Sequence, residues 1–164
     1  MAKIIVICGK ICAGKSYYTK QLKEKENAVV LSCDEIVNEL FDKDLGEKHD
    51  EMTRKICNYF RNKSVELINL DCSVILDWGF WSREGRRKLT EFYTSQNIPC
   101  EWHYIDVDDM TWYKNILERN SRVLNDNSTS EYFLDEGLLG KCLSLWESPT
   151  EDEIDVWHRN TRKQ

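Results

Sequence analysis

Residues 9–16 are Gly9-Lys10-Ile11-Cys12-Ala13-Gly14-Lys15-Ser16. They match the pattern G-x-x-x-x-G-K-[ST], in which a loop holds phosphate groups through its backbone. The apolar, β-branched run at 3–8 comes directly before the loop and predicts a buried strand, whereas 14–26 predicts a helix. Because both neighbours of the loop have the expected character, we prefer a phosphate-binding loop to a chance match in a glycine-containing turn.

The residue types of this loop suit the binding of a nucleotide. Glycines let the backbone approach a phosphate closely, and successive amides with a helix N-terminus supply partial positive charge. We expect Lys15 to reach the β- and γ-phosphates and the hydroxyl of Ser16 to ligate Mg²⁺. The predicted cofactors are ATP and Mg²⁺. The predicted nucleotide-binding residues are Gly9, Lys10, Ile11, Cys12, Ala13, Gly14, Lys15, Ser16 and Tyr17.

Length and composition favour a single soluble domain over residues 1–164. The chain has 164 residues, 41% of them hydrophobic and 32% charged, which is typical of a globular enzyme. No run approaches the about 18 apolar residues of a membrane span, and the start Met1-Ala2-Lys3 leads straight into a strand, so we expect a cytoplasmic protein. A net charge of -6 and a pI near 5.2 argue against a generally basic surface for nucleic acid.

Cysteine and histidine residues give no sign of a metal site. Seven cysteines lie mostly in apolar segments without a C-x-x-C pair, and we expect them to be reduced and mostly buried. Cys12 lies inside the phosphate loop, where amide dipoles would lower the pKa of a thiol. A tolerated variable position is the preferred interpretation of Cys12. The histidines at 49, 103 and 158 lack the spacing of a metal site or a triad and are expected to be structural.

Strand-like runs alternate with amphipathic helical stretches along the chain. This alternation predicts an α/β fold with three layers, in which helices flank a parallel sheet of four or five strands, and a small lid at about 119–133. Strands are predicted at 3–8, 28–32, 73–76, 100–107 and 154–157. Helices are predicted at 14–26, 34–71 with a break near Leu45-Gly46, 83–96, 110–122 with Asp108 or Asp109 near its cap, and 134–146.

Asp34 directly follows the second predicted strand. Ligands of open α/β sheets bind beyond the carboxyl ends of the strands, so this carboxylate is expected to face the γ-phosphate from the acceptor side. There it can orient an acceptor hydroxyl and take its proton during phosphoryl transfer. The alternative is a helix N-cap, and the two roles are compatible.

The stretch VILDWGFWSREGRR at 74–87 ends a strand in Asp77 and continues into an aromatic, arginine-bearing turn. Asp77 is predicted to bind either a water molecule that is coordinated to Mg²⁺ or a hydroxyl group of the substrate. Aromatic residues more often form core, but three in a loop past a strand end favour an acceptor pocket. Arginines in this turn either bind the acceptor or belong to a solvated helix face. The predicted substrate-binding residues are Asp34, Asp77, Trp78, Phe80, Trp81, Arg83 and Arg86.

Two arginines end the fourth predicted helix, before the polar loop at 125–130. Arg119 is the first choice and Arg122 the second for a lid arginine that stabilises charge on the transferred phosphoryl group. The alternative is a favourable placement of cations at a helix C-terminus. With Lys15 and Asp34, these two arginines complete the predicted catalytic set.

Together these motifs resemble the small P-loop kinase-like ATPases of the AAA_33 type, which are related to zeta toxin, chloramphenicol phosphotransferase and the kinase domain of bacteriophage polynucleotide kinase. The resemblance covers residues 3–157. It implies Asp34 as the base, Arg119 or Arg122 as the lid arginine, and ATP with Mg²⁺ as the phosphate donor. The loop differs from the usual pattern in lacking small residues at Ile11 and Cys12, and the resemblance does not identify the acceptor.

Three functions are consistent with these residues. A phosphotransferase that moves the γ-phosphate of ATP to a hydroxyl of a small molecule is preferred, because the surface is acidic and the pocket aromatic. A polynucleotide 5′-hydroxyl kinase needs a basic channel towards Asp34. A non-catalytic ATP-binding switch or module needs no acceptor. The residues available for a basic channel are Lys10, Lys20, Lys23, Arg83, Arg86 and Arg87.

Overall fold

Five parallel strands form the central sheet of the protein, in a computed structural model that describes residues 1–41, 45–126 and 131–160. The order across the sheet is β2-β3-β1-β4-β5, with every neighbouring pair parallel. The strands are β1 (Ile4–Cys8), β2 (Val29–Ser32), β3 (Val74–Asp77), β4 (Cys100–Val107) and β5 (Val156–Asn160). The predicted α/β class and parallel sheet are confirmed.

Helices connect successive strands, as parallel pairing requires. They are α1 (Lys15–Glu26), α2 (Cys33–Phe41), α3 (His49–Asn69), α4 (Arg83–Thr94), α5 (Asp109–Asn125) and α6 (Glu136–Leu145), with short 3₁₀ helices at Gly46–Lys48 and Glu151–Glu153. The predicted break near Leu45-Gly46 is confirmed by the 3₁₀ turn, although 42–44 lie outside the described residues. Asp108 caps α5, since its Oδ1 accepts a hydrogen bond from the Thr111 backbone at 2.9 Å. Among the described residues, no helix combines the length and the apolar character of a membrane span.

The central strand of the sheet is buried on both faces, which explains the continuous apolar character of β1. All five residues of β1 are buried. Alternate side chains point to opposite faces, so Ile4 and Val6 pack with Leu76 in one core, while Ile5 and Ile7 pack in the other. β1 therefore lies at the centre of the protein and ends at the phosphate loop.

Several element ends differ from the sequence prediction. β3 ends at Asp77 instead of residue 76, and Asp77 pairs in register with Ser32 of β2. β5 begins at Val156 instead of residue 154, because the Asp155 side chain accepts a hydrogen bond from the Trp102 backbone and its own backbone donates to the Trp102 carbonyl. α6 begins after residue 135, since the Asp135 Oδ1 caps it by accepting from the Leu138 backbone at 2.7 Å.

Candidate active site

The phosphate loop joins the central strand to α1. Lys15 is half-buried, and its ammonium donates to the carbonyl oxygens of Gly9 at 2.9 Å and Lys10 at 3.0 Å. Gly14 precedes the helix with a φ of 98°, a conformation that favours glycine. A Cβ atom at Gly14 would also collide with the side chain of Asn160. Both observations explain why glycine occupies this position.

Three side chains from other elements hold three consecutive carbonyl groups of the loop. Since the described peptide bonds are trans, an N–H points away from the carbonyl that precedes it. Holding the Ile11 and Ala13 carbonyls therefore turns the amides of Cys12 and Gly14 away from those side chains, whereas the Ala13 amide donates to the Lys10 carbonyl at 3.2 Å. The pairs are Trp112 Nε1 to the Ile11 carbonyl at 2.7 Å, Asn115 Nδ2 to the Cys12 carbonyl at 2.9 Å, and Asn160 Nδ2 to the Ala13 carbonyl at 2.8 Å.

These three side chains were missed by the sequence analysis. Trp112 and Asn115 lie three residues apart on α5, a spacing that places them on one face of a helix. That spacing was the available signal, but it does not say what the face contacts. Asn160 is the last residue of β5, and only the sheet order brings it to the loop.

Two carboxylates lie close to Lys15. Asp77 ends β3 and Asp34 lies in the first turn of α2, directly after β2. Burial lowers the pKa of Lys15, and the charges of Asp77 and Asp34 oppose that shift. Burial raises the pKa of Asp77, while Lys15 lowers it. The carboxyl ends of three neighbouring strands thus bring one cation and two carboxylates together.

Asp34 is exposed and does not cap α2. The residue before the helix is Ser32, whose Oγ accepts a hydrogen bond from the Glu35 backbone at 3.4 Å. The capping alternative for Asp34 is therefore wrong. The Asp34 carboxylate is therefore not used as a helix cap, and it faces solvent at the opening of the candidate active site.

Ser16 and Tyr17 occupy the first turn of α1 and are both exposed. The hydroxyl of Ser16 is thus open to a ligand at the helix N-terminus. The phenol oxygen of Tyr17 accepts a hydrogen bond from Gln21 at 3.0 Å on the solvent side of α1. Hydroxyl and carboxylate oxygens are the ligands that Mg²⁺ prefers, so Ser16 and Asp77 fit this ion in chemical type.

Cys12 has a φ of 58° within the loop. Burial raises the pKa of this thiol, and the nearby Arg119 and Lys15 only partly offset that effect. The alternative of a thiol with a lowered pKa is not supported, because burial outweighs the positive charges. Cys12 is a half-buried position of the loop, consistent with the preferred interpretation from the sequence.

The two predicted lid arginines have different partners. Arg119 donates to the Tyr132 carbonyl at 2.9 Å and extends to within 4.0 Å of the Cys12 sulfur. Arg122 forms a bidentate ion pair with Glu131, with both distances 2.8 Å. Arg119 is therefore the arginine that contacts the phosphate loop. Part of the predicted lid, at 127–130, lies outside the described residues.

The three aromatic residues of the DWGFW turn line one cleft. Trp78 stacks between Phe60 and Phe80, with ring centroids 6.2 Å and 4.8 Å apart. Trp78, Phe80 and Trp81 line a cleft of about 310 Å³ between α3 and α4. The aromatic turn therefore packs against the core and also forms a cleft wall, next to Asp77 in the chain.

Arg86 does not belong to this cleft. Its side chain is only 2% exposed and forms an ion pair with Glu153, with Nε 2.7 Å from Oε2. The same guanidinium donates to the carbonyls of Phe80, Trp81 and Glu147 at 3.1, 3.3 and 2.9 Å. The prediction that Arg86 binds substrate is wrong, because its guanidinium is hydrogen-bonded to the aromatic turn and to residues 147–153 and is buried there.

Arg83 is also placed away from the aromatic cleft. Its Nε lies 3.3 Å from the Glu153 carboxylate, and its side chain is 59% exposed. Arg83 and Arg86 both line a different cleft, which borders residues 150–155. The pairing of Arg83 with Glu153 contradicts its predicted place in the acceptor pocket.

Arg86→Ala is expected to lower the free energy of unfolding by about 2 kcal/mol, because the mostly buried Glu153 carboxylate and three carbonyls lose their donor. Urea unfolding followed by tryptophan fluorescence measures the change. Arg83→Ala is the matched control and should change stability by less than about 0.5 kcal/mol, since its ion pair is exposed. Equal stability of the two variants would contradict the structural role of Arg86.

Comparison of the sequence with curated proteins gives no significant match. Solved structures with the same fold include three of 14% identity. The first is a putative kinase from Chloroflexus aurantiacus, with a TM-score of 0.71 over 96% of this chain and 86% of that chain. The second is the Mycobacterium tuberculosis APS kinase CysC in complex with AMPPNP and APS, with a TM-score of 0.68 over 99% of this chain and 90% of that chain. The third is Chaetomium thermophilum Kti12 in complex with ADP-AlF3, with a TM-score of 0.68 over 98% of this chain and 89% of that chain.

A family model adds sequence evidence to this likeness of fold. Residues 4–134 match the family described as AAA domain. The match covers the phosphate loop, Asp34, Asp77 and the two arginines of α5, which are the motifs on which the resemblance was based. The chain is a member of this AAA domain family and has the three-layer fold of P-loop kinases.

Proposed function

We propose that the protein is an ATP-dependent phosphotransferase that moves the γ-phosphate of ATP to a hydroxyl of a small molecule. One observation carries the proposal: Lys15 of the phosphate loop lies with Asp77 and Asp34 at the ends of three neighbouring strands. A site that only holds phosphate needs no exposed carboxylate in front of it. The APS kinase structure contains AMPPNP and the Kti12 structure contains ADP-AlF3, which supports nucleotide binding.

The loop and the lid would bind the nucleotide. In the nucleotide complex, Lys15 exchanges its two loop carbonyls for phosphate oxygens. Side chains hold the carbonyls of Ile11 and Ala13, and the amides of Cys12 and Gly14 are the proposed donors to phosphate. Arg119 is the proposed lid arginine, since Arg122 is occupied by Glu131. Ser16 and Asp77 would hold Mg²⁺, which supplies neutralisation of charge on the phosphates.

Asp34 is the proposed base. As the acceptor oxygen bonds to the γ-phosphorus, the bond from that phosphorus to the bridging oxygen of ADP breaks, and the hydroxyl proton passes to the Asp34 carboxylate. This carboxylate is exposed and therefore accessible to an acceptor. Lys15, Asp34 and Arg119 are therefore the proposed catalytic residues.

The aromatic cleft is the proposed acceptor pocket. Its volume of about 310 Å³ lies at the lower end of the range for small-molecule sites. Arg61 lines it from α3, and its guanidinium stacks on Phe92 at 4.7 Å. Within the described residues, the Nε of Arg61 has no hydrogen-bond partner. Such an arginine suits an acceptor that carries an anionic group beside its hydroxyl.

Arg61→Met is expected to raise the KM for an anionic acceptor about tenfold while leaving ATP affinity unchanged, since the loss of one charged contact costs about 1.4 kcal/mol. Steady-state kinetics with varied acceptor measure the change. Arg54→Met is the control, because Arg54 is exposed on the same helix and lies outside the cleft. An unchanged acceptor KM in Arg61→Met would exclude the cleft as the acceptor pocket.

The charge arrangement favours a small acceptor over a polynucleotide. Arg83 and Arg86 pair with Glu153, and Arg87 pairs with Glu84 and Glu91. Lys10 lies 3.7 Å from Asp109 and above the Trp112 ring. Four of the six cations available for a basic channel thus have carboxylate partners. A chain of phosphates would have to compete with those carboxylates for each cation.

The test is ADP release from ATP and Mg²⁺, by the protein alone and with a panel of acceptors. The panel contains sugar acids, hydroxylated antibiotics, nucleosides and 5′-hydroxyl oligonucleotides, and mass spectrometry identifies the phosphorylated product. Acceptor-dependent release with a small molecule supports the proposal. Release with oligonucleotides alone would identify a polynucleotide kinase, and tight ATP binding without any acceptor effect would indicate a non-catalytic switch or module.

A further inference from the structure

Two free thiols lie against each other beside the proposed base. The sulfur atoms of Cys33 and Cys57 are 3.2 Å apart. Cys33 is the first residue of α2 and directly precedes Asp34. Cys57 lies in the third turn of α3. Both cysteines are reduced in this structure. A disulfide needs sulfurs at about 2.05 Å, so the two sulfurs must come about 1 Å closer to form it.

The two thiols differ in access to solvent. Cys33 is 3% exposed, whereas Cys57 is half-buried and lines the open cleft between α3 and α4. The Cys33 thiol lowers the pKa of Cys57, against the effect of burial. A small oxidant in the cleft would therefore meet Cys57 first, with Cys33 placed behind it to complete the reaction.

We propose that Cys33 and Cys57 are a peroxide-sensitive pair that forms a disulfide, and that this bond slows phosphoryl transfer by fixing the turn that carries Asp34. The Cys57 thiolate attacks hydrogen peroxide, which gives a sulfenic acid and hydroxide. The Cys33 sulfur then attacks the Cys57 sulfur, the S–O bond breaks, and water leaves with the Cys33 proton. Two thiols are oxidised by two electrons, and one peroxide is reduced. The effect on transfer rests on the proposed function, whereas the disulfide itself does not.

Peptide mapping tests the bond. The reduced protein is treated with hydrogen peroxide, alkylated with iodoacetamide, digested and analysed by mass spectrometry. We expect a peptide pair linked through Cys33 and Cys57 and a Tm higher by roughly 5 °C, because the bond closes a loop in the unfolded chain. Dithiothreitol should reverse both changes. Cys57→Ser and Cys33→Ser should abolish both, while Cys72→Ser, which removes another half-buried thiol, should retain them.

A second measurement tests the consequence for the site. With an acceptor found in the panel, peroxide should lower kcat at least about tenfold in the wild type and in Cys72→Ser, without changing ATP affinity, and should not affect Cys57→Ser. Absence of the linked peptide, or a wild-type Tm that does not move, overturns the disulfide. The linked peptide with unchanged kcat overturns the regulation. If the reduced protein phosphorylates no acceptor, the proposed function has failed, and mapping and Tm still decide the disulfide.

Discussion

Lys15→Ala is expected to weaken the binding of ATP and of AMPPNP at least about 100-fold. In the free protein the Lys15 ammonium donates to two loop carbonyls, 2.9 and 3.0 Å away. With nucleotide present, charge-assisted hydrogen bonds to phosphate replace them, and losing such bonds costs about 2.7 kcal/mol or more. Isothermal titration calorimetry with AMPPNP and Mg²⁺ measures the affinity directly.

Lys20→Ala is the matched control for this variant. Lys20 lies on the same helix, one and a half turns further on, and is exposed to solvent. Its removal changes the net charge equally but should leave the affinity within about twofold of the wild type. Because Lys15 is half-buried, the thermal unfolding of both variants is compared as well. A folded Lys15→Ala protein that binds AMPPNP as tightly as Lys20→Ala would contradict the role of the phosphate loop.

The phosphate loop and its two carboxylates could be predicted from the sequence because their determinants are local. A strand, a glycine-containing loop and a helix follow one another in residues 3–26, and parallel strands place their carboxyl ends at one edge. Asp34 and Asp77 were therefore expected near Lys15 before the sheet order was known. The pairing of Ser32 with Asp77 in register places the ends of β2 and β3 side by side.

The residues that support the site depend on contacts between distant parts of the chain. Arg86 and Glu153 are 67 residues apart in the sequence. Nothing near Arg86 in the sequence indicates that its side chain will be buried in an ion pair with a carboxylate. Asn160 contacts the loop across 147 residues. An arginine after a strand end has the same local pattern whether it binds substrate or a buried carboxylate, so the sequence could not separate these roles.

The two carboxylates of the site differ in environment, and this difference suggests their roles. Burial raises the pKa of Asp77, and the nearby charge of Lys15 opposes that shift. Asp34 is exposed at the start of α2 and does not serve as its cap. A carboxylate affected by burial and by a nearby cation suits a fixed ligand of Mg²⁺ or its water, whereas one open to the acceptor side suits proton transfer. Substituting each of them should therefore affect different steps.

Asp34→Asn is expected to lower kcat for phosphoryl transfer about 100-fold or more, while ATP affinity stays within about twofold of the wild type. The amide keeps the size of the side chain but cannot accept the hydroxyl proton, and general bases contribute factors of this order. Single-turnover transfer to the acceptor identified in the panel measures the chemical step, and calorimetry with AMPPNP measures binding. Asp77→Asn, in contrast, should weaken the dependence of binding on Mg²⁺.

Glu35→Gln provides the control for Asp34→Asn, because Glu35 is the next residue of the same helical turn and is also exposed. Both variants remove one carboxylate from the first turn of α2, so any effect through the helix dipole is shared between them. Only the loss of a base predicts a fall in kcat for Asp34→Asn alone. If Asp34→Asn turns over at the wild-type rate, or if both variants lose activity equally, Asp34 is not the base, and the acceptor hydroxyl must lose its proton to another group or to water.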